Sequence, residues 1–466
     1  MLLLNVSEQS LATRRRTFAL FVLCLGLLWV VPSGVQAQGL PQNPAGVLEL
    51  SVEEALDRAR EQSFPVRSAQ AERRAATARK RQSLGVFLPR ITASEHGLAT
   101  TDPINAFGSK LQQERFGQQD LQLDALNTPD RVDHFATQLE VEQPILNLDG
   151  IFERRAASDA ARAASHKAER TDAVVTFRVK KGYYGLLLAE RRVEVIESAL
   201  ATARANRDQV DALYEEGIVD EADRLAAEVR VSELKSRRTE VRARRENAGD
   251  RLRMLLGIDR PVQIEPTDSL RRESAALGAI ALPDVNRRRS DMQALRARAD
   301  AAREKKRSRW LAFVPTLNAR ATTGWYDDAP FGTAGQSWTA GASLTWSLFD
   351  GYRQIGAAQE ADAKLQRAEI ALEQKAVENE VEIASARRDL QSARERIEQT
   401  RQAVEQAEES LRIRSNRHEE GLAQTTDLLQ AEATLAERRL AALRALYQHN
   451  VTLYRLELLT EQALTQ

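Results

Sequence analysis

Two long stretches of this chain, 151–214 and 352–418, contain no proline and space their apolar residues like a coiled-coil seam. Ile196, Leu200, Ala203, Val210 and Leu213 step by 4, 3, 7 and 3; Ala393, Ile397, Val404, Ala407 and Leu411 step by 4, 7, 3 and 4. A stripe of that period belongs to helices that lie along one another. About 65 residues at 1.5 Å each make a rod of roughly 100 Å. A rod of that length needs neighbours along all of it. Shorter helical stretches supply them: 51–86, broken near Pro65, and 220–256 beside the first rod, then 284–312 and 425–459 beside the second.

Four other stretches alternate with period two. Trp338, Ala340, Ala342, Leu344, Trp346 and Leu348 share one face, and Thr339, Gly341, Ser343, Thr345 and Ser347 the other. Leu317, Ala319, Ala321, Thr323 and Trp325 oppose Thr316, Asn318, Arg320 and Thr322; Phe135, Thr137, Leu139 and Val141 oppose Gln138, Glu140 and Glu142. The fourth, after Pro89, is the weakest. Alternation fits any half-buried strand. Two details point to lipid. Trp338 and Trp346 stand roughly 26 Å apart along the strand, close to the ~25 Å apolar band between aromatic girdles. The opposite face is small and polar, as a wet lumen requires. Trp325, Trp338 and Trp346 are therefore the expected membrane-interface aromatics. Four strands cannot close a barrel, which needs at least about 8, and unpaired edges are not tolerated in lipid. Copies must share one barrel, of 8 strands for two or 12 for three, and a lumen wide enough for solutes favours 12.

The landmarks occur twice and in the same order. Phe87-Leu88-Pro89-Arg90-Ile91 resembles Phe313-Val314-Pro315-Thr316-Leu317, Leu148-Asp149-Gly150 resembles Phe349-Asp350-Gly351, and Glu215-Glu216-Gly217-Ile218 resembles Glu419-Glu420-Gly421-Leu422. Asp223 and Asp427 each lie six residues beyond the turn glycine. A duplicated unit of roughly 200 residues follows, far longer than a solenoid repeat. The expected organisation is a first repeat at 38–257 with strands near 89–100 and 133–143, a linker at 258–283, and a second repeat at 284–466 with strands near 315–326 and 337–348. Residues 100–133 are an extra polar stretch in the first hairpin, expected as an enlarged outer loop.

The N-terminus has the layout of a secretory signal peptide over 1–37: Arg14-Arg15-Arg16, a 15-residue apolar run from Thr17 to Val31, and Val35-Gln36-Ala37 before Gln38. The run is short of the ~20 residues of a membrane span. Cys24, the one cysteine, lies inside it, so the mature chain is expected to hold no disulfide. With 67 basic and 67 acidic residues there is no excess charge to bind nucleic acid. Frequent charges with few aromatics fit long helices. His96, His134, His166, His418 and His449 are isolated, and no phosphate loop, nucleophile elbow or dinucleotide fingerprint occurs. No enzyme, metal or cofactor is expected. Arg287-Arg288-Arg289 is expected on a helix surface.

The leader, two repeats, paired strands, rods and Gly-x5-Asp turns resemble the TolC-like outer-membrane efflux proteins, most specifically at 214–223 and 418–427. The resemblance implies a mainly α fold with a membrane β-barrel portion. Its long coiled-coil helices form an α-barrel across the periplasm, and four β-strands per chain enter a shared trimeric 12-strand barrel. The implied partners are two further copies in a homotrimer, a periplasmic adaptor (membrane fusion) protein, an inner-membrane transporter and outer-membrane lipid. The implied activity is passive: an exit duct for efflux or type I secretion, located in the outer membrane of a Gram-negative bacterium. Gly217, Ile218, Gly421 and Leu422 would form the adaptor-docking turns, and Asp427, with Asp223 matching it in the first repeat, the periplasmic gate. The family's second gate aspartate falls at Gln430 here and its basic latch at Ala423. A plainer role for the same residues is helix termination at the glycine, capping by Thr425 or Thr426, and Asp427 beside the helix N-terminus. Two other classes compete, a periplasmic coiled-coil adaptor and a structural scaffold; the duplicated tryptophan-bearing strands argue against the first and the leader against the second.

Overall fold

The structure, a computed structural model, describes residues 46–274, 282–420 and 422–464. The expected leader and Gly421 lie outside them.

The rods are present, the first slightly longer than the pattern marks and the second shifted by one residue. α5 runs Leu148–Glu215 and α9 runs Arg353–Glu419. At 1.5 Å per residue each spans roughly 100 Å. The first stripe is buried, with Ile196, Leu200, Ala203 and Val210 at 2% exposure or less. Leu200 and Ala203 pack with Val231 and Leu234 of α6 (Glu221–Leu255). Ile383, Ala386 and Leu390 of α9 pack with Leu453, Leu456 and Leu459 of α10 (Thr425–Thr460). Helices α1 (Val52–Gln62) and α2 (Phe64–Gln82) lie beside α5. Short α7 (Leu282–Arg288) leads into α8 (Ser290–Leu311), which packs on both rods.

The breaks have local causes. Ser51 caps α1 in a reciprocal box with Glu54, the Ser51 hydroxyl accepting from Glu54 N at 3.3 Å and the Glu54 carboxylate from Ser51 N at 2.8 Å. Ser63 is extended (ψ 139°) at the N-cap of α2, which carries Pro65 in its first turn. Gly257, after α6, has φ +71°, and a Cβ there would lie 2.3 Å from the Gln62 carbonyl oxygen, so only glycine lets the two chain segments meet.

Strands β2 (Arg90–Thr100), β3 (Val132–Leu146), β5 (Thr316–Asp327) and β6 (Gly335–Thr345) form one antiparallel sheet in that order, leaving β2 and β6 as edges. The 263–266 stretch of the expected irregular linker is a strand, β4 (Gln263–Pro266). Nearby, Leu50 at the end of β1 (Val47–Leu50) accepts from Thr267 N at 3.1 Å.

Two sequence expectations need correction. The 100–133 stretch is not a plain loop: it folds into α3 (Pro103–Gln112), a 3₁₀ turn at Gln118–Leu121, and α4 (Leu123–Asn127). Arg289 is not on the surface. It is fully buried at the α7–α8 break, held by Asp291 at 3.0 and 2.6 Å and by the Leu459 carbonyl at 2.9 Å. A charge can be buried only when it is paired and hydrogen-bonded, and here half the pairing comes from the far end of the chain.

Candidate functional site

The sheet register sorts the alternating residues onto two faces. Ala93, Leu139, Thr323 and Trp338 lie in one row across the four strands, and Ile91, Val141, Ala321 and Ala340 in the next. On the reverse face the corresponding rows are Thr92, Glu140, Thr322 and Thr339, then Arg90, Glu142, Arg320 and Gly341. Glu140 and Arg320 pair at 3.2 Å. The apolar face leaves large groups bare: Trp338 is 78% exposed and Trp346 61%. Trp346 lies just past the end of β6 and donates its indole N–H to the Phe313 carbonyl at 3.0 Å. Trp325 stands toward the opposite end, beside Gln336. Glu95, a charged residue on the apolar face, is answered locally, accepting from the Thr137 hydroxyl and, at 3.1 Å, from Phe331 N.

At the far ends of the rods the chain reverses twice. Gly217 has φ +73° and closes α5 in a Schellman turn, with Ile218 N donating to the Leu213 carbonyl at 2.9 Å. Arg224 of α6 lies over the Tyr214 ring at 5.2 Å, joining the arms. The second turn makes the equivalent bond from Leu422 N to the Arg417 carbonyl at 2.7 Å. Ile218 and Leu422 are bare at the turns, 65% and 63% exposed.

The capping differs from expectation. Asp220, which sequence reasoning passed over, caps α6 by accepting from Asp223 N at 2.9 Å. In the second turn Thr425 is buried, its hydroxyl sharing a hydrogen bond with His418 Nε2 at 3.3 Å, and Gln424 takes the N-cap position without a side-chain bond. Asp223 and Asp427 stand in the first turns of α6 and α10, one on each hairpin. Asp427 is exposed and faces Arg414 across the turn at 3.3 Å. Gln430 is also exposed.

Glu432, one further turn along α10, is the functional-type residue that sequence reasoning missed. Its side chain is buried where α10 meets the first hairpin, accepting from the Asn206 amide of α5 near Arg230 of α6. Burial pushes its carboxyl up to about 7, against the partial help of Arg230 and Asn206. A carboxyl that ionises near 4.5 when unfolded and near 7 when folded keeps its proton longer in the native state. Native stability is therefore fullest below the unfolded value and falls as pH rises through about 7, by at most ~1.4 kcal/mol per pH unit. We expect Glu432→Gln to flatten this slope, measured as the thermal midpoints of both proteins across that window; parallel midpoints would show that Glu432 does not titrate there.

Residues 281–461 match the outer membrane efflux protein family. The match spans the second repeat and stops short of the first. No curated protein sequence matches the chain significantly. Among solved structures, a membrane protein from Pseudomonas aeruginosa superposes with a TM-score of 0.76 at 19% identity, covering 88% of this chain and 93% of that one. The Campylobacter jejuni CmeC outer membrane channel gives 0.76 at 15% identity over 88% and 85%. The open state of the Neisseria gonorrhoeae MtrE outer membrane channel gives 0.74 at 17% identity over 89% of both chains. These likenesses establish a TolC-like fold over both halves, including the first, which the family match does not reach. The family match and the fold together put the protein at the outer membrane, extending into the periplasm.

Proposed function

We propose that this chain is an outer-membrane efflux protein and that three copies of it form the exit duct of a tripartite efflux or type I secretion system. The observation that carries the proposal is the four-stranded sheet, apolar on one face and polar on the other, with both edges open and two rods of roughly 100 Å attached. Three such sheets close a 12-strand barrel without an unpaired edge. A second feature supports association: Ile370, Val377 and Val381, spaced by 7 and 4, form an exposed apolar stripe on α9 where a neighbouring rod can pack. The turns at Ile218 and Leu422 then lie at the inner tip, where an adaptor that reaches an inner-membrane pump would dock. The pump supplies the energy, and the duct conducts passively.

The gate assignment is part of the proposal. Asp427 from three copies would ring the inner tip, with Asp223 in the neighbouring turns. The pairing with Arg414 is exposed and worth only ~0–1 kcal/mol, so it leaves the carboxylate available to a cation. The test is single-channel conductance of the detergent-purified protein in a planar bilayer with a divalent cation on the tip side. Asp427→Asn is expected to lift the cation block and raise conductance, and Arg414→Ala to deepen the block. Unchanged block in both variants removes Asp427 from the gate; the absence of any channel from folded protein removes the duct.

A further inference from the structure

The helix folded into the first hairpin lies on the polar face of the sheet. α3 turns Ala106, Ser109 and Gln113 against the sheet end, buried to 1%, 4% and 1% exposure. What they cover is one face only: Val132, His134 and Ala136 of β3 and Tyr326 of β5 are buried there, while Asp133, Phe135 and Thr137 between them are half-exposed. The contact is specific. The Gln113 amide donates to the Asp133 carbonyl at 2.9 Å and the Asp327 carbonyl at 3.0 Å, and lies 3.2 Å from His134 Nδ1. A Cβ on Gly335 of β6 would lie 1.9 Å from the Gln112 carbonyl oxygen, so glycine is needed for the helix to seat. Asp102 caps α3 through Asn105 N at 2.9 Å, and Lys110 pairs with Asp120 at 2.7 Å. This segment is a built element docked on the wall.

Its other side is apolar and bare. Ile104 and Leu111, two turns apart and directly opposite the docked face, are 82% and 48% exposed, and Gly108 between them opens onto empty space. A helix docked on the polar face of a barrel wall points its free side at the barrel axis, where the other copies' helices also point. The dimensions agree. Twelve strands about 4.8 Å apart and tilted about 40° close a ring roughly 24 Å across. That leaves about 12 Å from strand backbone to axis, which one helix of about 10 Å diameter and the wall side chains beneath it fill.

We propose that α3 of three copies meets on the barrel axis through Ile104 and Leu111 and plugs the outer mouth of the duct. The partner of the exposed face is a second and third copy of this chain, so the inference rests on the trimeric barrel proposed above. The plug is distinct from the gate at the inner tip: solute leaving the lumen must displace α3 or separate the three helices.

The test uses the full-length protein in intact cells. Its only cysteine, Cys24, lies in the expected leader, so introduced cysteines are unique in the mature protein. With Leu111→Cys, mild oxidation is expected to link copies into disulfide-bonded dimers. With Ser343→Cys on the polar face of β6, a membrane-impermeant maleimide added outside is expected to leave the lumen unlabelled. Adding Ile104→Glu and Leu111→Glu, which place six carboxylates on the axis, should turn this into full labelling. The mass of the detergent-solubilised protein is measured in parallel. A trimer that neither cross-links at position 111 nor changes its labelling overturns the plug and keeps the duct; a protein that is not a trimer overturns both.

Discussion

Ala342→Arg should keep this protein out of the outer membrane, and Ser343→Arg, one residue along, should not. Ala342 stands midway between Trp338 and Trp346 on the apolar face, four residues from each, or about 13 Å at the rise of a strand. That places it near the midplane of the lipid, where arginine on a barrel's outer face costs about 2–4 kcal/mol per chain. A trimer takes the penalty three times, and sharing the barrel makes assembly depend on all three. Ser343 points to the opposite face, opposite Asn318, where an arginine meets water. Because strand side chains alternate strictly, the two variants have the same charge, size and depth and differ only in face. The readout is the amount of heat-resistant oligomer in outer-membrane fractions: near zero for Ala342→Arg and close to the parent for Ser343→Arg. Equal assembly of both would show that the apolar face does not meet lipid.

The periodic elements are legible in the sequence because each reports a constraint repeated along its length. The heptad stripe at Ile196, Leu200 and Ala203 marks residues that end up buried, and the alternation around Trp338 marks one exposed apolar face. Gly217 is equally plain, since a Schellman close has few alternatives. What escaped notice depends on partners distant in sequence. α3 is only ten residues long and carries Gly108 in its middle; it is held by the docking of Gln113 on two strand ends. The burial of Glu432 needs three helices to converge. One such contact is legible from spacing alone: Arg414 and Asp427 lie seven before and six after the turn glycine, so a helical hairpin sets them face to face.

Arg289 escaped for the same reason, and its removal should be the most damaging single change in the helical part. A run of three arginines reads as surface, and Arg287 conforms, being exposed and paired to Asp284 at 2.8 Å. Arg289 is the only one of the three at 0% exposure, because its extended backbone (ψ 129°) turns the side chain inward at the start of α8. There it does two jobs. It donates to the Leu459 carbonyl in the last turn of α10, where the helix dipole favours a cation. It also neutralises Asp291, which Arg170 approaches to 3.7 Å, while Glu461 joins Arg170 at 2.9 Å and accepts from Ser290 N at 2.8 Å. Burial alone would raise the Asp291 carboxyl; the bonds from Arg289 and the charges of Arg170, Arg289 and Lys375 outweigh it and hold the group below the ordinary carboxylate value. Breaking such a buried pair from one side typically costs about 3–5 kcal/mol, because the remaining charge is stranded. Arg170 stays close, so Arg289→Ala should fall toward the lower end, while Arg287→Ala should cost no more than ~0.5 kcal/mol. The lowered value of Asp291 adds a sign. Stability from an ionised carboxylate is present above its unfolded value and is lost as pH falls through its folded one. The penalty of Arg289→Ala should therefore be large at neutral pH and shrink in acid, where Asp291 takes up a proton and no charge is stranded. Thermal midpoints of the parent and both variants, in neutral and acidic buffer, measure all of this. A penalty that does not change with pH would locate the damage in lost packing instead of a stranded charge.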